Sequence, residues 1–366
     1  MSNLIEFYMK KLLLLLSVVI PIVYCSSMQK AEAQTNKIYL GAYYFDGWQP
    51  EYQKGVINDK LTTQFPERTP IWGWQTSTPE VMVKQIDAAA DAGIKFFSFD
   101  WYYPESKKFT YKTLPLNHAL GLYNTASNKS RLKFNLMVIN QKYYVIGPKD
   151  WDTVTAEWIR LFKDPQYVKF DGKPLITFFT HKSLIASFGS VEAVHDALDK
   201  FRKACVDAGF KGVTIATGVS PLAAPVQEAA ACGFDLLTGY SYRSGTKTRA
   251  TIPIEEIQST MLWDRVIKAT NVPFMPVITL NWDPRSKNML PMYEHSPVYL
   301  GYSGKTVYNS IQIAKQWMTD NPNNTTKERV AIMYAWNEYN EGAWLTPSVA
   351  WGNQLLDAVK KAASSN

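Results

Sequence analysis

Histidine and cysteine are scarce: the 366 residues hold four of the first and three of the second. So few thiols exclude a disulfide-built scaffold and a zinc-ribbon pattern. The histidines, at 118, 181, 195 and 295, are scattered and form no H-E-x-x-H or other paired metal spacing. No G-x-G-x-x-G or G-x-x-x-x-G-K-[ST] opens a helix, which removes the usual nucleotide-binding readings, and the lack of G-x-S-x-G argues against a serine hydrolase. No metal and no cofactor are therefore expected. Charge is also sparse, at 19% of residues, and the net +7 is a diffuse lysine excess without a run of five basic residues. That pattern gives no reason to expect a nucleic-acid partner.

What is present is apolar and aromatic. Hydrophobic residues make up 46% of the chain and aromatic residues 14%, with 12 Trp and 21 Tyr. That is enough for a large core and a surplus of flat rings on which sugar faces can stack. Near the start, Met9-Lys10-Lys11 precedes the apolar run Leu12 to Ile20, and small or polar residues follow. The run is too short for a membrane span and has signal-peptide proportions, with Ala31-Glu32-Ala33 as the cleavage site. Residues 1–33 are thus read as a leader and residues 34–366 as the mature domain. Cys25 offers the alternative of lipid attachment, against which stands Tyr24 where a small residue is expected. The expected location is outside the cytoplasm: periplasmic, secreted, or held at the surface by at most an N-terminal lipid anchor. Cys205 and Cys232 read as buried free thiols before Gly209 and Gly233, with one optional disulfide as the alternative.

From about residue 37, short apolar runs alternate with amphipathic stretches. Strands are expected at 38–44, 94–101, 133–140, 174–180, 213–218, 234–240, 273–280 and 329–336. Helices are expected at 79–92, 116–126, 151–163, 190–208, 223–232, 254–269, 306–320 and 351–363, with Thr78 capping the first and Asp150 the third. Apolar runs without strict alternation suit strands covered on both faces. Eight strand-then-helix units indicate an α/β fold, a single (β/α)8 TIM barrel with long βα loops. The longest loops, 46–77, 102–115 and 281–305, all follow strand ends, where a barrel places its active site.

Polar and aromatic residues gather at those strand ends. Tyr44 and Trp48 follow the first strand, and Asp100 and Trp101 end the second. Asn140, His181, Tyr240, Asn281 and Trp282 follow the third, fourth, sixth and seventh. These, with Trp336 and Asn337 at the end of the eighth strand, are candidate substrate-binding residues, with rim packing as the competing reading of each aromatic. Asp100 suits a hydroxyl acceptor or an orienting group for a nearby acid, and equally a cap or a salt bridge. The eighth strand ends Trp336-Asn337-Glu338-Tyr339-Asn340-Glu341-Gly342. Two carboxylates three residues apart, among Trp336, Trp344, Asn337 and Asn340, suit glycosidic cleavage, which needs one acid and one base or nucleophile. The amides of Asn337 and Asn340 are expected to hold one carboxylate ionised.

The segment Trp336 to Gly342 resembles the W-N-E-W-x-E-G motif of glycoside hydrolase family 99 and the related WbsX-like family, with Tyr339 in place of the second Trp. Gly41-Ala42-Tyr43-Tyr44 and the stretch from Ala92-Gly93-Ile94 to Asp100-Trp101-Tyr102 resemble the first two strands of those families. The resemblance spans about residues 38 to 350. It implies a retaining enzyme for α-linked glycans, typically α-mannosides, whose oligosaccharide or polysaccharide is the partner. It also implies a mechanism in which Glu338 takes the proton of the sugar's own 2-hydroxyl, so that a 1,2-anhydro sugar forms, and Glu341 serves as acid/base. The competing expectations are a non-catalytic carbohydrate-binding barrel and a WbsX-like glycosyltransferase. The leader argues against the latter, because nucleotide sugars are cytoplasmic.

Overall fold

The computed structural model describes residues 37–49, 56–106, 108–243, 250–287 and 296–365. The leader expected at 1–33, with Cys25, and His295 lie outside the described residues.

Eight parallel strands form the wall: β1 (Tyr39–Tyr44), β2 (Phe96–Trp101), β3 (Lys133–Val138), β4 (Lys173–Phe178), β5 (Thr214–Gly218), β6 (Leu236–Thr238), β7 (Val277–Thr279) and β8 (Val330–Tyr334). β1 to β6 pair in sequence order, β7 pairs with β8, and β8 pairs with β1 in the register Tyr39 with Val330. The last gap, between β6 and β7, is spanned by a parallel bridge from Leu237 to Phe274. There the Leu237 N–H donates to the Pro273 carbonyl at 2.9 Å and the Met275 N–H to the Leu237 carbonyl at 2.8 Å. The ring of strands is thereby a TIM barrel, the arrangement that eight βα units favour.

Ten helices are described: α1 (Asp59–Gln64), α2 (Pro79–Asp91), α3 (His118–Thr125), α4 (Trp151–Phe162), α5 (His181–Phe188), α6 (Val191–Asp207), α7 (Ala223–Ala231), α8 (Ile252–Ala269), α9 (Gly304–Asp320) and α10 (Gln354–Ser364). Their starts follow capping chemistry. Thr78 accepts from the Val81 N–H ahead of α2, Ser190 from Ala193 ahead of α6, and Ser303 forms a capping box with Thr306 on α9. Asp150 differs from expectation: its side chain makes no cap, and its Oδ1 lies 3.2 Å from the Tyr103 hydroxyl instead.

Two further differences have local causes. The run expected as a strand at 273–280 is regular only from Val277, since Pro273 and Pro276 have no N–H to give the ladder. The helix α5 was not expected. Thr180 caps it at the mouth of β4 and Gly189, at φ +94°, stops it after eight residues. Cys205 and Cys232 are buried and free, and burial pushes their thiols up to about 12 and about 11. No helix among the described residues is long and apolar enough to cross a membrane.

Candidate active site

At the C-terminal ends of the strands lies a cavity of about 960 Å³. Every strand contributes to its lining, from Phe45 after β1 and Asp100 of β2, through Gln141, Thr180 and Ser220, to Tyr240, Trp282 and the segment after β8. Glu338, Asn340 and Glu341 all line it.

Both glutamates sit on one small hairpin. Asn337–Glu338 pairs antiparallel with Ala343–Trp344, and the turn between them is a single 3-10 turn, Tyr339–Glu341. Gly342 closes it at φ +71°, a conformation that glycine adopts without a Cβ penalty. A Cβ there would lie 2.8 Å from the Asp283 Cβ, so glycine also allows the close approach of the β7 loop. From that loop the Asp283 N–H donates to the Glu341 carbonyl at 2.7 Å and Asn281 Nδ2 to the Gly342 carbonyl at 2.5 Å.

Buried Arg68 braces the turn from below. Its guanidinium donates to the carbonyls of Tyr339 at 3.0 Å and Asp283 at 3.2 Å, and pairs with Asp283 Oδ2 at 2.6 Å. Burial would raise the Asp283 carboxyl, but Arg285 and Arg68 hold it below its ordinary value.

Glu341 Oε1 pairs with Lys287 Nζ, and its Oε2 accepts from the Tyr334 hydroxyl. Glu338 Oε1 lies 2.8 Å from the Tyr240 hydroxyl, and the same hydroxyl lies 2.9 Å from Asp100 Oδ2. Burial raises the Glu338 carboxyl against the opposing influences of Lys287 and the Tyr240 hydrogen bond. Burial, then the Glu338 charge, raises Asp100 well above the usual carboxylate range. Tyr240 itself packs between Tyr43 and Tyr334, with ring centroids 4.9 and 5.0 Å away.

Among the sequence-derived candidates, the cavity brings together Glu338, Glu341, Asp100, Tyr240 and Trp282. The Trp282 ring carries the Arg243 guanidinium at 3.8 Å, so one of its faces is already covered. The other candidates are buried beside or behind the site. Tyr44 packs on Phe97 and Phe99, and its hydroxyl accepts from Gln85; Trp336 donates to the same Gln85. Trp48 donates to the Asn337 carbonyl and packs on Tyr339, while Trp101 packs on Trp158. Asn140 ties the ends of β3 and β4 through both backbone groups of Thr180. His181, 3.0 Å from Glu228, is held below its ordinary value by burial.

The role expected of the two asparagines is corrected. Asn337 exchanges two hydrogen bonds with the Phe45 backbone, and Asn340 donates to the Val56 carbonyl at 2.5 Å, so both clamp backbone and hold no carboxylate. Sequence reasoning missed Tyr334, Lys287 and Arg68. A lone tyrosine ending the aliphatic run of β8 was a usable signal for Tyr334. Arg68 ends one short 3-10 turn and Lys287 follows another, and elements of three residues show no period that marks a side chain's direction.

A family model described as "Glycosyltransferase WbsX" matches residues 66–359. A structure described as a glycoside hydrolase-like protein superposes with a TM-score of 0.61 at 14% identity, over 90% of this chain and 95% of its own. The endo-alpha-mannosidase of glycoside hydrolase family 99 from Bacteroides thetaiotaomicron, in complex with bis-tris-propane, gives 0.62 at 13% identity, over 88% of this chain and 95% of its own. A second structure of that enzyme gives 0.58 at 12% identity, over 88% of this chain and 96% of its own. At such identities the likeness concerns the fold. A comparison with curated protein sequences finds no match.

Proposed function

The chain belongs to the WbsX family, and from that premise we propose that it is an exported retaining glycoside hydrolase acting on α-linked, α-mannoside-like glycans. The observation that carries this reading is the hairpin after β8, whose two carboxylates line one cavity with different partners. Lys287 and Tyr334 hold Glu341; a phenol shared with a third carboxyl holds Glu338. Different surroundings for two acids are what acid/base work requires.

In the first step Glu338 takes the proton of the sugar 2-hydroxyl. That oxygen attacks C1 as the glycosidic bond breaks, and Glu341, which must first part from Lys287 and take up a proton, gives that proton to the leaving oxygen. In the second step Glu341 takes a proton from the water that opens the 1,2-anhydro ring at C1, and Glu338 returns its proton to the 2-oxygen. The resemblance of the Trp336–Gly342 motif to family 99 supports these roles. The expected leader at residues 1–33 supports export.

The test is turnover on a panel of defined α-linked oligosaccharides and mannans, read by mass spectrometry with and without added sugar acceptors. Glu338→Gln and Glu341→Gln are each expected to lower kcat by about 10²–10⁴-fold, with the melting temperature little changed. Full activity in either variant sinks the mechanism. Product elongated by an acceptor, with none hydrolysed, assigns the same site to transfer.

A further inference from the structure

The hydrogen inventory of the Asp100–Tyr240–Glu338 contact does not close with both acids ionised. A phenol has one hydrogen, yet the Tyr240 oxygen stands at hydrogen-bond distance from two carboxyl oxygens, carried by the strands on either side of β1, 2.9 Å from Asp100 Oδ2 and 2.8 Å from Glu338 Oε1. With both carboxylates charged, one of these contacts would press lone pair against lone pair in a buried, poorly solvated place, which is costly. A second proton must lie in the chain.

We infer that Asp100 carries this proton at neutral pH, so that Asp100 donates to Tyr240, Tyr240 donates to Glu338, and the chain keeps Glu338 ionised as the base. The inference rests on the proposed role of Glu338. Three observations place the proton on Asp100 and not on Glu338. Asp100 Oδ1 is buried without a hydrogen-bond partner, which suits a neutral carboxyl oxygen better than a charged one. Among the described residues, the charged and titratable groups facing it are Tyr43, Tyr102, Tyr240, Glu338 and Glu341, none of them a cation. The Lys287 ammonium acts instead on Glu338, favouring its charged form.

Asp100 is on this account a positioning residue. It neither attacks nor protonates the substrate, and it sets the state of the group that does. When Glu338 takes the substrate proton, Asp100 keeps its own, and the phenol lies between two neutral acids until Glu338 gives the proton back.

The first test needs no substrate. Infrared difference spectra of the whole protein at pH 7, with ¹³C-labelled aspartate and with Asp46→Asn removing the other raised aspartate carboxyl among the described residues, are expected to show a protonated-carboxyl band that shifts when Tyr240→Phe is added and vanishes when Asp100→Asn is added. Absence of that band while Asp100 is in place overturns the inference, whatever the enzyme does to glycans. The second test is kinetic. Asp100→Asn replaces one neutral group by another of similar shape, so it is expected to leave the acid limb of the pH profile where the wild type has it, at whatever kcat the variant retains. Tyr240→Phe and Asp100→Ala are expected to lower kcat more than tenfold with KM little changed. Were Asp100 ionised, Asp100→Asn would delete a negative neighbour and move the acid limb to lower pH, and that outcome also overturns the inference. If no glycan is turned over but the band behaves as expected, the hydrolase reading fails and the proton assignment stands.

Discussion

Asp46, just past the end of β1, is enclosed by the Ser77 hydroxyl on one carboxyl oxygen and the Ala119 N–H on the other. Burial pushes its carboxyl up to about 7 despite those donors. A carboxyl raised above its unfolded value contributes stability while it is protonated. That contribution is fully present below about pH 4 and is lost as pH rises through about 7. Asp46→Asn, whose amide can meet the same two partners, removes the dependence. Its melting temperature relative to the wild type is expected to climb between pH 4 and 7 and then level off, with a total span on the order of a few kcal/mol at about 1.4 kcal/mol per pH unit. A constant difference between the two proteins over that range would count against it.

Side-chain direction is also what the sequence conceals at this scale. Tyr44 and Trp101 are the right residue types at the right strand ends, yet they pack into the surrounding core, whereas their neighbours Tyr43 and Asp100 turn inward to Tyr240. Successive residues of a strand face opposite ways. An uncertainty of one residue in a boundary therefore exchanges the lining for the backing.

Among the elements, the hairpin after β8 depends most on a single side chain. Asn337 satisfies both the N–H and the carbonyl of Phe45, at 2.9 and 2.8 Å, and so fastens the exit of β8 to the exit of β1. Asn337→Ala leaves two backbone groups short of partners and is expected to cost about 2–4 kcal/mol. Chemical denaturation would measure this, with a loss of kcat because Glu338 is the next residue. An unchanged unfolding midpoint would show that water takes over the clamp. Most elements were readable because their ends carry local chemistry, as at Thr78 with Pro79, Ser190 and Ser303. The hairpin was not, since its pairing is set by Gly342, Asp283 and Arg68 acting from separate loops.

For the molecule as a whole, the alternation of eight apolar runs with eight amphipathic ones was sufficient to indicate the barrel. The strength of each seam was not visible. β2 and β3 are in register over six residue pairs, whereas β6 meets the β7 side through one bridge at Leu237 and Phe274. Native-state hydrogen exchange is expected to find the amides of Leu237 and Met275 less protected than the ladder amides of β2 and β3, because fewer bonds must break together to open that joint. Equal protection would mean that the helices outside, and not the ladders, hold the ring closed.

Three residues of turn separate Glu338 from Glu341's neighbour Gly342, and the circumference of the barrel does not enter into that spacing. The two acids thus travel as a cassette. On the proposed hydrolase reading, substitutions that widen, tilt or repack the wall can move the cassette relative to a bound sugar, retuning which glycan fits, while the spacing of the two acids along the hairpin is inherited intact. Divergence in selectivity is cheap in such a molecule, and divergence in the chemistry itself requires rebuilding the hairpin.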